Sequence, residues 1–142
     1  MTLDRLGDFV GGLASMTPLT ARVLLAADRP DEVEHYAFWG RDIAEEDDVE
    51  AHTGWRLAIS GLRSRQARHD DAVLLAREAV ALVADREMAV LLADAHLALA
   101  GALRASGDEP AARAAAADAQ GIAATKQDQA ALRLIETFLT VG

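Results

Sequence analysis

Cysteine is absent from this chain, which excludes a disulfide framework, a thiolate metal site and a cysteine nucleophile. The absence fits a reducing compartment, and a cytoplasmic location is expected. Aromatic residues make up only 4% of the sequence, against 51% hydrophobic residues in total. A core must therefore be built from Ala, Leu, Val and Ile, which favours closely packed helices over a β-sandwich. Three prolines in 142 residues leave long stretches free to run as helix. Long apolar runs are also missing. The longest, Met88–Leu103, is broken by Asp94 and His96 and falls short of the roughly 18 apolar residues that a membrane span requires. Asp4, Arg5 and Asp8 stand where a secretory signal would be apolar. Basic charge is scarce, and the formal net charge is −9. Nucleic-acid binding usually needs a basic stripe, so no nucleic-acid partner is expected.

What remains is helical periodicity almost everywhere. Thr2–Ser15 reads as a short helix weakened by Gly7, Gly11 and Gly12. Thr17-Pro18 reads as an N-cap followed by proline in the first turn, opening a helix to about Ala27. Asp28–Asp31 is a turn, and Pro30 starts a helix to about Ala44. Asp47 or Asp48 caps a long helix through Trp55 to about Ala67. Arg68–Asp70 is expected to turn the chain, followed by helices over Asp71–Ala84 and Glu87–Ser106. Gly107 is a natural helix stop, and Pro110 opens a helix to about Thr125. A short link precedes the last helix, Gln129–Thr140. No strand and no dividing linker is visible, so residues 1–142 are expected to form one all-α domain.

An internal repeat organises these helices. Val33, Ala72 and Ala112 serve as anchors. Ala37, Ala76 and Ala116 follow four residues on; Gly40, Ala79 and Ala119 seven on; Ile43, Leu82 and Ile122 ten on. Thr20, Ile59 and Leu99 lie thirteen residues back; Ala21, Ser60 and Ala100 twelve back; Leu24, Arg63 and Leu103 nine back. Asp28, Ala67 and Gly107 fall five back, at turns. Arg63 is the misfit. Small residues at the anchor, four on and seven on share one helical face and let a second helix lie close against the first. One such pair cannot bury its apolar stripe alone, so neighbouring pairs are expected to stack. The repeats run over residues 17–46, 48–85 and 87–125, with a cap at 127–140 that presents Leu132, Ile135 and Leu139 on one face.

The run Leu99-Ala100, Leu103, Gly107-Asp108, Ala112, Ala116, Ala119 resembles the tetratricopeptide repeat. Residues from Trp55 to Thr140 also resemble the C-terminal helical-repeat region of large bacterial, notably actinobacterial, cyclase- or ATPase-type transcriptional regulators. The segments Asp47–Ala51, Leu75–Leu82 and Ala93–Ala100 carry that likeness. It implies a right-handed superhelix of about three helix pairs plus a capping helix, and a non-catalytic scaffold or docking role. The sequence departs from the family in its longer period, near 40 rather than about 34 residues. His96 and Arg56 stand where Trp is common, and Ala67 replaces a turn glycine.

No constellation supports catalysis. His35, His52, His69 and His96 fall on different elements and lack zinc-site spacing. Ser15, Ser60, Ser64 and Ser106 lack a nucleophile-elbow context. Gly7, Gly11 and Gly12 are not followed by the Lys-Ser/Thr of a phosphate loop. No metal or other cofactor is expected. Acidic residues between Asp42 and Glu50 lack the spacing of a calcium loop. Trp39 and Trp55 are candidates for helix-junction anchors or for a binding hot spot.

In the family that the chain resembles, the first helices of the pairs line a concave face that receives a peptide. Carried onto this sequence, that face comprises Arg22 and Leu25; Leu57, Gly61, Ser64 and Arg65; and Asp94, Leu97, Gly101 and Arg104. Arginine holds carboxylates through two parallel hydrogen bonds, so a peptide with an acidic group or free C-terminus is the expected partner. Surface pairing of these arginines with nearby Asp and Glu is the alternative. A small-molecule pocket in a ligand-sensing or accessory subunit is a second reading. A homodimer through the glycine-weakened N-terminal end is also an expectation.

Overall fold

A computed structural model describes residues 24–141. Among them are the helical residues 24–26, six further α-helices and no strand: α1 (Pro30–Ile43), α2 (Val49–Arg65), α3 (His69–Val83), α4 (Ala89–Ala105), α5 (Glu109–Thr125) and α6 (Gln129–Val141). The expected helix Thr2–Ser15, the start of the helix from Thr17, and Arg22 lie outside the described residues. So does the N-terminal end expected to form a homodimer.

The alanine columns explain how the helices meet. Val33, Ala72 and Ala112 have no exposed surface, and neither do Ala37, Ala76 and Ala116. Gly40, Ala79 and Ala119 are buried as well. These side chains leave α1, α3 and α5 with a narrow face on which a neighbouring backbone can settle closely. Leu62 and Ile59 from α2 fill the layer against Val33 and Ala37. Leu99 and Leu103 from α4 do the same against Ala112 and Ala116. Arg63, the misfit in its column, has a side chain only 13% exposed and ion-pairs with Glu34 of α1. Its aliphatic stem stands in for leucine while its head reaches the surface.

The turns at Asp28, Ala67 and Gly107 repeat with the columns, and the link before α6 adds a fourth of the same kind. Asp28, Ala67, Gly107 and Gln127 all have positive φ, at 61°, 59°, 93° and 54°. At each, two backbone bonds close the preceding helix. Arg68 N–H donates to the Arg63 carbonyl at 2.9 Å and Ala67 N–H to the Ser64 carbonyl at 3.2 Å; Asp108 and Gly107 repeat this with Leu103 and Arg104 at 3.0 Å each. This is the Schellman arrangement, which satisfies carbonyls that a helix end would otherwise leave unpaired. The turn therefore sits at 66–68, two residues earlier than the sequence suggests, and His69 opens α3 rather than lying in the turn. The next helix follows at once, and the Asp108 carboxylate caps α5 by accepting from Ala111 N–H at 3.2 Å. Asp48, rather than Asp47, caps α2 by accepting from Ala51 N–H at 3.0 Å.

Each helix packs against the next in sequence. Beyond that, α2 touches α4 and α4 touches α6, whereas α1, α3 and α5 make no contacts with one another. The helices thus form two layers, one continuous and one spaced apart. No described helix is long and apolar enough to cross a membrane.

These placements have direct consequences for stability. Ala67→Gly should raise unfolding stability by about 1 kcal/mol, and Gly107→Ala should lower it by about as much, because a side chain in the left-handed region costs about 1–2 kcal/mol. Urea denaturation of the two variants measures both. Thr53 is fully buried and its Oγ1 has no hydrogen-bond partner. Thr53→Val should therefore raise the denaturation midpoint by the equivalent of about 1 kcal/mol.

Candidate functional site

The residues expected to face a partner are held mainly by α2 and α4, and the structure separates them into three groups. Leu57 is buried, with Ala79, Val83 and Ala95 around it, so it serves packing. Gly61 is met by Leu25, from the helical residues 24–26 that lie ahead of α1: an added Cβ would stand 2.5 Å from Leu25 Cδ2. Leu25 and Gly61 therefore form a helix contact. Leu97 is half-buried against the core. Gly101 is different, because a Cβ there would meet nothing within 4 Å. Ser64 and Asp94 are half-buried on the same two helices.

The two described arginines of the set differ sharply. Arg104 is fully engaged: Nε and Nη2 donate to the two carboxylate oxygens of Glu109 at 3.0 and 2.7 Å. Nη1 donates to the Phe138 carbonyl at 2.6 Å, and the guanidinium lies 3.5 Å from the Phe138 ring centroid. This one side chain ties α4, α5 and α6 together. The hydrogen bond from Arg104, reinforced by the charges of Arg104 and Arg113, holds the Glu109 carboxyl below its ordinary value, against partial burial. The same bond raises Arg104 above its ordinary value. Arg65, by contrast, is exposed and has only a 3.5 Å pair with Asp28, of the kind that contributes little.

Neither family models, curated proteins nor solved structures show a match to this chain. Its site is therefore built from its own geometry. Stepping 40 residues from Asp94 and Gly101 reaches Leu134 and Val141. These two are exposed on α6, at 63% and 75%. The 40-residue period, already visible in the sequence, is the signal that could have added them to the face.

Elsewhere, Phe38 and Trp55 pack with ring centroids 6.2 Å apart. Arg41 lies over Phe38 at 4.4 Å, and Arg56 lies over Trp55 at 4.4 Å. Trp55 is thus a junction anchor between α1 and α2, while Trp39 is 44% exposed. Ser60 is buried and donates to the Ala72 carbonyl at 2.8 Å, which gives it a packing role. Among the described residues, no group of three or more His, Cys, Asp or Glu is arranged to hold a metal ion.

The Arg104–Glu109 pair has a definite pH signature. Because the folded carboxyl is held low, its contribution is complete above the ordinary carboxylate range and is lost as pH falls through the lowered value. Glu109→Gln should therefore be less stable than the parent at neutral pH, and the difference should close in acid. Thermal melts across that range measure it.

Proposed function

We propose that this chain is a non-catalytic interaction module of the tetratricopeptide kind, which holds a segment of another protein along the face formed by α2, α4 and α6. The observation that carries this reading is the asymmetry between the two helix layers. One layer is continuous while the other is spaced apart, a geometry that bends a stack so that the continuous layer lies on its concave side. The right-handed superhelix of the tetratricopeptide family is the arrangement this supports. The matching period, the alanine columns and the repeated turns point the same way.

On this reading the partner meets Leu97 and Gly101 on α4 and Leu134 and Val141 on α6. Arg65, on α2, is the one described arginine of the predicted set with only a loose pair. A peptide with apolar side chains and one carboxylate suits that combination. Arg104 contributes by fixing α6 in place rather than by touching the partner. A docking role within a larger bacterial regulator is consistent with this, since repeat arrays offer extended surfaces without chemistry of their own.

Gly101 supplies the test. A Cβ there would meet nothing within 4 Å, so the side chain of Gly101→Glu leaves the backbone into open space on the proposed face. Replacing an interior helix glycine is also expected to add about 0.5–1 kcal/mol of stability. Affinity capture from a lysate of the source organism should lose a bound protein with Gly101→Glu and retain it with Leu74→Glu, a change at an exposed site on α3. Retention of the same protein by Gly101→Glu would move the interaction to another face.

A further inference from the structure

The 44–48 link between α1 and α2 is fastened by a histidine whose two ring nitrogens are both in use. His52 Nε2 lies 2.9 Å from the Glu45 carbonyl oxygen. His52 Nδ1 lies 3.1 Å from Trp55 Nε1. A carbonyl only accepts and an indole N–H only donates. The partners therefore dictate the ring's state: a proton on Nε2, a lone pair on Nδ1, no net charge. In that state one imidazole joins the link to the indole that anchors α1 on α2.

A proton added at Nδ1 removes the acceptor and sets one N–H against another at the same 3.1 Å. The charges and dipoles around the ring decide where the protonated imidazole settles. From α2 itself, Arg56 donates to the His52 carbonyl at 3.0 Å and stacks on Trp55. From α1, Arg41 lies 5.7 Å over the same indole. From α3, Glu78 pairs with Arg56 at 3.5 Å. From the link, the Asp48 carbonyl holds the His52 N–H at 3.0 Å while its carboxylate is committed to the helix cap. Glu46, also from the link, lines one surface hollow together with His52 and Arg56. Two arginines thus stand beside the indole, and Glu46 shares the hollow with the imidazole.

We infer that His52 is a proton-operated latch on the join between α1 and α2. Neutral, it pins Trp55 to the 44–48 link. Protonated at Nδ1 by solvent, it releases the indole and turns toward the carboxylate of Glu46, loosening α1 from α2 without unfolding the helices. The latch does not depend on the partner-binding reading.

The test uses the full chain. Trp39→Phe leaves Trp55 as the single tryptophan, since the chain has 2. Solvent exchange of the indole N–H, read by NMR against free indole at the same pH, is followed from about pH 8 to about pH 5, the span in which imidazoles change charge. The expected result is a one-proton transition in which exchange accelerates by up to about tenfold, the loss of one hydrogen bond's protection. Helical circular dichroism should stay constant throughout. His52→Gln in the same background should abolish the transition. Glu46→Gln, which keeps the neutral hydrogen bonds but removes the carboxylate that the protonated ring turns to, should move the transition to lower pH. An exchange rate that follows free indole across the whole range, the same transition in His52→Gln, or no movement in Glu46→Gln would overturn the latch.

Discussion

Close approach of helix backbones through alanine is the constraint on which this structure depends. With so few aromatic residues, the chain cannot fill wide spaces between its helices. It reaches interior density by thinning one face of every second helix to Ala, Gly or, at one position, Val, and laying larger residues of the neighbouring helix into the space. Val33, Ala37 and Gly40 do this for α1; Ala72, Ala76 and Ala79 for α3; Ala112, Ala116 and Ala119 for α5. Any side chain larger than these would push a helix pair apart, and the contacts of one pair with the next would be lost with it.

The turns are the second expression of the same repeat. A left-handed residue at Asp28, Ala67, Gly107 and Gln127 ends one helix and aims the chain into the next within three residues. Only one of the four is glycine, so three positions carry a conformational cost that packing on either side offsets. The wider links, 44–48 and 84–88, lie between pairs and lack the left-handed residue. The period near 40 residues arises from helices of 15 and 17 residues combined with these two kinds of link.

Much of this is legible in the sequence because it rests on local size and spacing. The columns through Ala72 and Ala112, the stop at Gly107 and a cap at Asp47 or Asp48 are statements about single residues and their near neighbours. The turn at 66–68 is legible only through the repeat register, which puts Ala67 in line with Asp28 and Gly107; neither Ala67 nor Gln66 carries a turn signal of its own, which is why its local bounds read two residues late. The site is less legible still. Arg104 and Arg65 look alike in sequence, but Arg104 meets Glu109 and the Phe138 carbonyl while Arg65 meets only the edge of Asp28. Leu57 and Leu97 sit 40 residues apart in sequence, yet Leu57 faces the core between helices and Leu97 lies less deeply against it. Those distinctions depend on which element packs above each position, and no local pattern encodes that.

On the proposed reading, the α2–α4–α6 layer lies on the concave side of a bent stack. The chain has no cysteine of its own, so spin labels can be introduced as defined cysteine pairs. One pair joins Gly101 with Val141 across the continuous layer. The other joins Leu74 with Ala114 across the spaced layer. Both pairs span 40 residues, as 141 − 101 and 114 − 74. Dipolar spectroscopy should give a shorter mean distance for the first pair than for the second. Equal distances, or a shorter distance across α3 and α5, would contradict the bent stack and with it the proposed binding face.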